Sequence, residues 1–259
     1  MLSRLTCNFF HSHAHHLLAC QTLGYIRNTQ ITKMTQTISF EPKFITFDCY
    51  GTLTNFSHLN SLARSIYCDR LSESDLDRWI ELNRIYRFDE IMGPYKPYDE
   101  VLVNAAQRTC KRMNITFDRE EAEQFYKALP TWGPWPDVTD GLRRLASKYK
   151  LVIVSNSNDE VIMSNVDKLG APFHAVYTAQ QAQCYKPRLG LFEYVYDKLG
   201  CQPEEVMHVS ASMEYDHHCV NSLGVQHQVF VNRSKAKVTA PFKFYEVDGI
   251  GALASAMGL

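Results

Sequence analysis

The chain has 259 residues, of which 45% are hydrophobic and 21% are charged. This length fits one α/β domain with a smaller inserted domain, and the composition excludes a chain that is disordered throughout. The 27 lysines and arginines balance 28 aspartates and glutamates, and the net charge of −1 favours neither a nucleic acid nor an anionic membrane as partner. We therefore expect the partner to be a small-molecule substrate.

The cysteines and the apolar runs indicate the cellular compartment of the protein. The eight cysteines form no Cys-x-x-Cys pair, which is typical of reduced, buried thiols rather than of a disulfide framework. The apolar runs are shorter than the ~18 residues that a membrane-spanning helix needs. We therefore expect a cytoplasmic protein with no membrane partner.

Residues 1–40 differ from the rest of the chain, because they contain no aspartate or glutamate and carry four histidines between His11 and His16. We predict a flexible or targeting extension outside the fold. Residues 1–33 could be a mitochondrial transit peptide, or translation could begin at Met34. Histidine tracts in tails are more often solvated than metal-bound, so we predict no metal site there.

The core is predicted to begin with a buried strand from Lys43 to Asp48, which is apolar and β-branched and runs into a Tyr-Gly-Thr turn. Residues 57–130 show amphipathic helical patterns, broken by Gly93-Pro94, and no strong strand pattern. We predict that 57–130 form an inserted helical cap domain. Residues 41–56 and 131–259 then form the core.

Four further strands are predicted downstream from short apolar runs at 151–154, 174–178, 206–210 and 228–231. Helical patterns precede and separate these strands. They span 137–149, a stretch that ends near residue 169, 189–199 and 217–223. Strands that alternate with helices form a parallel sheet with helices on both faces. The predicted fold class is therefore α/β, with a doubly wound parallel sheet and an inserted α-helical cap.

Polar side chains follow four of the predicted strands. In an open α/β sheet, ligands bind beyond the carboxyl ends of the strands. A single acid at a strand end is often only a turn or cap residue, so the combination carries the argument. We expect one site to be formed by Asp48, Thr52, Ser155, Asn156, Lys186, Ser210, Ser212, Glu214 and Asp216.

Four segments in this order resemble the motifs of the haloacid dehalogenase superfamily: FDCYGTLT (47–54), VSNSND (154–159), CYKP (184–187) and HVSASMEYDHHCVNSLG (208–224). The resemblance covers about 43–233. The Asp-x-Tyr form of the first motif is similar to the L-2-haloacid dehalogenase branch. Phosphatases of the superfamily usually carry a second aspartate where Tyr50 stands.

The resemblance implies a hydrolase in which Asp48 attacks the substrate and forms an ester that water then hydrolyses. Lys186 would lower the pKa of Asp48 by about 1–3. Tyr50, Thr52, Ser155 and Asn156 would orient the carboxylates and bind the substrate. Asp216, or its competitor Glu214, would hold the water together with Ser210. A halide leaving group needs no general acid, so no metal or other cofactor is expected.

The sequence departs from that branch in the cap. The branch carries an arginine directly after a tryptophan on a cap helix, where it grips the substrate carboxylate or the halide, but here Ile80 follows Trp79. Arg84 and Arg87 lie further along the predicted helix on the same face, and we select Arg84 as the substitute. The branch's tyrosine near the Lys-Pro segment is Phe192, and the asparagine of its last motif is Ser212.

Two alternatives stay open at this point. One is a magnesium-dependent phosphatase that uses Asp48 and Asp216, against which Tyr50 argues. The other is a non-catalytic binding protein with the same fold. A homodimer is possible in each case, since homodimers are the commonest closed assembly.

Overall fold

The structure is a computed structural model that describes residues 37–259. Its centre is a six-stranded parallel sheet with the order β3-β2-β1-β4-β5-β6. The strands are β1 (Phe44–Phe47), β2 (Lys150–Ser155), β3 (Ala175–Thr178), β4 (Val206–Ser210), β5 (His227–Val231) and β6 (Tyr245–Val247). The predicted α/β class and the first five strands are confirmed.

Strand β1 lies at the centre of the sheet. Strands β2 and β3 follow on one side of it, and β4, β5 and β6 follow on the other. Phe47 pairs with Ile153 of β2 on one side and with Val209 of β4 on the other. The loops after β1, β2 and β4 therefore leave the same edge of the sheet side by side. This is the switch point at which open α/β sheets bind ligands.

Alternation along β1 sends side chains to two separate cores. Ile45 and Phe47 pack on one face against Leu142 and Ile250, while Phe44 packs on the other face with Phe192. Both faces are covered by helices, which explains why the strands are continuously apolar. The helices of the core are α5 (Val138–Ala146), α6 (Asp159–Leu169), α7 (Ala179–Ala182), α8 (Gly190–Leu199), α9 (His218–Ser222) and α10 (Ile250–Ala256).

Four helices are inserted between β1 and the return to the core, as predicted for a helical cap. They are α1 (His58–Tyr67), α2 (Glu73–Met92), α3 (Tyr98–Met113) and α4 (Arg119–Ala128), followed by a 3-10 turn (Leu129–Thr131). Trp79 of α2 is fully buried between Tyr67 and Phe125, at ring distances of 4.5 and 5.7 Å. The cap therefore has an aromatic core of its own.

Two segments differ from the sequence prediction. Strand β6 was not predicted, because three residues with half-buried side chains give too short a pattern. The fold also begins before residue 41: Ile38 is buried and its N–H donates to the carbonyl of Ala256 at 2.8 Å, and Phe40 stacks on His227.

The predictions for residues 1–36, including the extension, the transit peptide and the histidine cluster, lie outside the described residues. Among residues 37–259, no helix is both long enough and apolar enough to cross a membrane.

Candidate active site

Lys186 joins two aspartates at the carboxyl edge of the sheet. Its ammonium group donates to Asp48 Oδ1 at 2.8 Å, to Asp216 Oδ1 at 2.8 Å and to the carbonyl of Val154 at 2.9 Å. All three of its protons are thereby used. Lys186 and Asp216 are buried, and the Asp48 side chain is 12% exposed. The structure thus brings together the three residues that were predicted to be catalytic.

Burial controls the proton affinities of this group. Burial raises the pKa of Asp48, Lys186 acts in the opposite direction without offsetting it, and the negative charge of Asp216 raises it further. Lys186 thus lowers the pKa of Asp48 as expected, but burial outweighs this contribution and the net pKa is raised. Burial also opposes ionisation of Asp216, but there Lys186 and His208 prevail and the pKa lies below its ordinary value.

For Lys186 itself, burial lowers the pKa, but the two carboxylates outweigh burial and raise it above the ordinary value of a lysine. The ammonium group therefore stays charged at every pH at which the protein works.

Thr52 supports the Asp48 carboxylate from the turn after β1. Its hydroxyl donates to Asp48 Oδ2 at 2.6 Å and accepts the N–H of Ala211 at 2.9 Å. Both oxygens of Asp48 therefore accept a hydrogen bond, which orients the carboxylate. Thr52 and Ser210 are fully buried and do not line the cavity described below. They lie behind the site and do not contact a ligand there.

The loop after β2 contributes Ser155 and Asn156. Asn156 holds the backbone of Lys186 on both sides, because its amide donates to the Lys186 carbonyl at 2.8 Å and accepts the Lys186 N–H at 2.7 Å. Ser155 lines the cavity, and its buried hydroxyl has no hydrogen-bond partner within the described residues. An unsatisfied buried hydroxyl on a cavity wall is available to a ligand.

The loop after β4 selects Asp216, rather than Glu214, as the partner of Lys186. The spacing from Ser210 to Asp216 is one residue longer than the branch pattern, and the structure absorbs this residue in a π-helical turn (Met213–His217). The N–H of His217 donates to the carbonyl of Ser212 at 3.3 Å. Such turns lie frequently at functional sites. Glu214 lines the cavity with a half-exposed side chain.

His208 contacts the aspartate from β4, which the sequence did not indicate. One ring nitrogen lies 3.1 Å from Asp216 Oδ1 and the other lies 2.9 Å from the Thr46 hydroxyl. With Lys186, His208 occupies Oδ1 of Asp216. Oδ2 is buried and has no partner within the described residues. In the sequence, His208 stands inside a predicted buried strand, and this position indicates a core residue rather than a site residue.

A cavity of about 720 Å³ lies over these groups and takes its walls from the core and the cap. The core contributes Asp48, Ser155, Lys186 and Asp216. The cap contributes apolar and basic residues. The residues of the cap and its entry that line the cavity are Phe56, Ser57, Asn60, Ile80, Glu81, Arg84, Arg87, Ile91 and Tyr98.

The two arginines on α2 have different surroundings. Arg84, which we had selected, forms ion pairs with Glu81 at 2.9 Å and with Glu214 at 3.3 Å. Arg87 contacts no carboxylate within the described residues: its Nε donates to Asn83 Oδ1 at 3.1 Å and its guanidinium lies 5.4 Å from the Phe56 ring centre. Arg87, not Arg84, therefore has unpaired donors at the cavity.

Tyr50 faces the cavity with its ring, while its hydroxyl donates to Asn165 Oδ1 at 2.7 Å. Burial raises the pKa of Tyr50, so the phenol stays protonated. Phe192 packs edge-on against His208 at 5.4 Å, and the Ser212 hydroxyl accepts the N–H of Tyr215. These residues support the site, but none of their hydroxyls is directed at Asp48 by a hydrogen bond.

The site does not match a magnesium centre, which the phosphatase alternative requires. Magnesium takes an octahedron of oxygen ligands that includes carboxylates. Here the Lys186 ammonium lies between the two carboxylates. Within the described part of the chain, no group of three or more histidines, cysteines, aspartates and glutamates could hold a metal ion.

Sheet order, helical insertion and the Asp-Lys-Asp group define an α/β protein with a helical cap and a buried carboxylate–lysine site. The family model of the haloacid dehalogenase-like hydrolases matches residues 42–216. The chain belongs to this family. Among curated proteins, an (S)-2-haloacid dehalogenase from Pseudomonas fluorescens is 23% identical over 171 residues, which cover 64% of this chain and 74% of the relative.

Solved structures share the fold. The L-2-haloacid dehalogenase RSc1362 superposes with a TM-score of 0.72 at 18% identity, over 85% of this chain and all of that chain. An L-2-haloacid dehalogenase from Xanthobacter autotrophicus with chloropropionic acid covalently bound gives 0.67 at 21% identity, over 83% and 98%. The HAD-hydrolase YfnB from Bacillus subtilis, bound to magnesium, gives 0.71 at 18% identity, over 85% and 100%.

Proposed function

We propose that the protein is a hydrolase of the 2-haloacid dehalogenase type, in which Asp48 is the nucleophile. The observation that carries the proposal is the Asp48 carboxylate, which lies on the cavity wall with both oxygens oriented by Thr52 and Lys186. The substrate is a small organic acid that bears a halogen, or a comparable leaving group, on the carbon next to its carboxylate.

In the first step, one oxygen of Asp48 attacks this carbon and the halide departs with the electron pair of the carbon–halogen bond. An ester between Asp48 and the substrate is formed. A halide is a weak base, so the step needs no proton donor. Lys186 keeps its positive charge and partially compensates the negative charge of Asp216, which would otherwise repel the substrate anion.

In the second step, water attacks the carbonyl carbon of the ester at Asp48. The bond between this carbon and the oxygen that is now attached to the substrate breaks. One proton of the water goes to the alcohol product, and the other leaves as Asp48 becomes ionised again. Asp216 Oδ2 is the acceptor that we assign to the attacking water, because Oδ1 is occupied by Lys186 and His208. Thr52 and Ser210 act as positioning residues beneath the loops.

The proposal is tested with a panel of (S)-2-halo acids, by halide release and by the mass of the peptide that contains Asp48. We expect halide release without added metal, and heavy oxygen in that peptide after a single turnover in H₂¹⁸O. Asp48→Asn should abolish both signals. Turnover of a phosphate ester that strictly requires magnesium would contradict the proposal and favour the phosphatase. Unchanged ligand binding without any turnover would favour the non-catalytic alternative.

A further inference from the structure

The cavity is lined by a cation that has no carboxylate partner within the described residues. Arg87 is half-buried and lines the cavity, and its two terminal nitrogens form no hydrogen bond within residues 37–259. A guanidinium with free donors binds a carboxylate in a bidentate manner.

Ser155 offers a second free donor at the same cavity, since its buried hydroxyl has no partner within the described residues. Arg84 is excluded from this role, because Glu81 and Glu214 already neutralise it. The Arg84–Glu214 pair instead links helix α2 of the cap to the loop after β4. The carboxylate of a substrate is therefore best matched by Arg87 and Ser155.

The rest of the cavity is larger and more apolar than a three-carbon acid requires. With the ~30 Å³ that a water molecule occupies as a generous measure for each heavy atom, an acid of about six heavy atoms needs roughly 180 Å³. The cavity measures about 720 Å³, which is within the range of pockets that hold drug-sized ligands. A three-carbon acid would therefore fill only part of the cavity.

Apolar side chains from three parts of the chain surround this volume. Ile80 and Ile91 come from α2, Met213 comes from the π-helical turn, and Phe230 and Val238 come from β5 and the loop that follows it. That loop, between β5 and β6, lies outside the segment matched by the family model. Burial of a methylene group contributes about 0.8 kcal/mol, so these walls favour a substrate with an extended apolar group.

We propose that the substrate is a 2-substituted carboxylic acid with an apolar chain of more than three carbons or an aromatic group, whose carboxylate is bound by Arg87. This inference rests on the proposed function and deepens it. It makes Arg87 and the loop after β5 the determinants of specificity, in place of an arginine at the position of Ile80.

The first experiment measures kcat/KM for a series from 2-bromopropionate through 2-bromobutyrate and 2-bromohexanoate to 2-bromo-3-phenylpropionate. We expect kcat/KM to rise at least tenfold from 2-bromopropionate to 2-bromohexanoate. Val238→Trp, which fills the part of the cavity at the loop after β5, should reduce this ratio. A ratio that is flat or that falls with chain length would overturn the size preference while leaving the proposed function intact.

The second experiment replaces Arg87 with glutamine and uses Arg78→Gln, an exposed position on the same helix, as the matched control. We expect Arg87→Gln to raise KM about 10–100-fold, as for the loss of a charge-assisted pair, with a smaller change in kcat. Arg87→Lys should restore part of the loss. An unchanged KM in Arg87→Gln would overturn the assignment of Arg87.

A binding measurement separates the two proposals. The product-like probe 2-hydroxyhexanoate should raise the thermal midpoint of the wild type and of Arg78→Gln, but not of Arg87→Gln. Such binding without halide release from any acid would reject the dehalogenase reaction and support the Arg87 site. Halide release that is the same in the wild type and in Arg87→Gln would support the dehalogenase reaction and reject the Arg87 site.

Discussion

The Lys186 ammonium group is removed from water and offset by two carboxylates at 2.8 Å. A buried charge is tolerated only when it is paired and hydrogen-bonded, so loss of the single cation would leave two carboxylates uncompensated. Loss of the Asp48 charge would leave Lys186 paired with Asp216. Asp48 is the member with the least favourable ionised state, because burial raises its pKa.

Two substitutions in this group should affect stability in opposite directions. Lys186→Met leaves two buried carboxylates without a cation and should lower the free energy of unfolding by about 3–5 kcal/mol. Asp48→Asn removes the charge that the folded state disfavours and should be at least as stable as the wild type at pH 7. Both variants should release no halide. Urea denaturation measures the stabilities, and a large loss in Asp48→Asn would contradict the assignment of charges.

The pH profile should show the raised pKa of Asp48. Only the ionised carboxylate attacks carbon, so kcat/KM should increase with pH and fall as the pH drops through the pKa of Asp48 in the free enzyme. Because burial raises that pKa above 3.8, the acidic limb should lie above pH 3.8. The profile of kcat/KM for a 2-bromo acid tests this, and a limb at or below 3.8 would contradict it.

Helices α5 and α10 approach each other through a glycine. A Cβ atom at Gly141 would lie 2.5 Å from the Ile250 carbonyl carbon and 2.6 Å from the Gly251 nitrogen. These are backbone atoms, which cannot move aside as the end of a side chain can. The two helices cover one face of the sheet together, so the contact is part of the core.

Gly141→Ala should therefore lower the free energy of unfolding by about 1–3 kcal/mol through overpacking. Gly133→Ala is the matched control, because a Cβ there meets no atom within 4 Å. The control should change stability by about 0.5 kcal/mol or less. Equal stabilities of the two variants in urea denaturation would show that α5 and α10 can separate without cost.

Most elements of the core could be predicted from the sequence, because four-to-six-residue apolar runs and Gly or Pro breaks are local signals. Strand β6 and the π-helical turn could not. The short β6 pairs only with β5 at the edge of the sheet, and an extra residue in a loop does not show how it is accommodated. That turn decides whether Glu214 or Asp216 reaches Lys186.

One buried asparagine connects the nucleophile loop with the cap. Asn165 of α6 accepts the Tyr50 hydroxyl, and its amide donates to the carbonyls of Leu129 and Trp132, each at 2.9 Å. These carbonyls lie where the chain returns from the cap to the core. Asn165, which the motifs do not include, is therefore one of the side chains that join the turn after β1 to the segment that returns from the cap.

Asn165→Ala should lower the free energy of unfolding by about 1–3 kcal/mol, because it removes the acceptor of the Tyr50 hydroxyl and one of the donors to each of the two carbonyls. It should also lower kcat/KM for the 2-bromo acids. Tyr50→Phe breaks only one of the three hydrogen bonds and should cost less. A double-mutant cycle in urea denaturation tests this, and additive losses would show that the two residues do not act together.

The sequence by itself determined the α/β class and the inserted cap, and it selected Asp48 and Lys186 as site residues, because strand periods and motif spacing are local in the chain. Only the tertiary structure decided that Arg87 rather than Arg84 is unpaired, that burial raises the pKa of Asp48, and how large the cavity is. These properties depend on contacts between distant residues, such as Asp48 and Lys186, which are 138 positions apart. Charge pairing and desolvation follow from which groups the fold brings together, and no local pattern in the sequence records that.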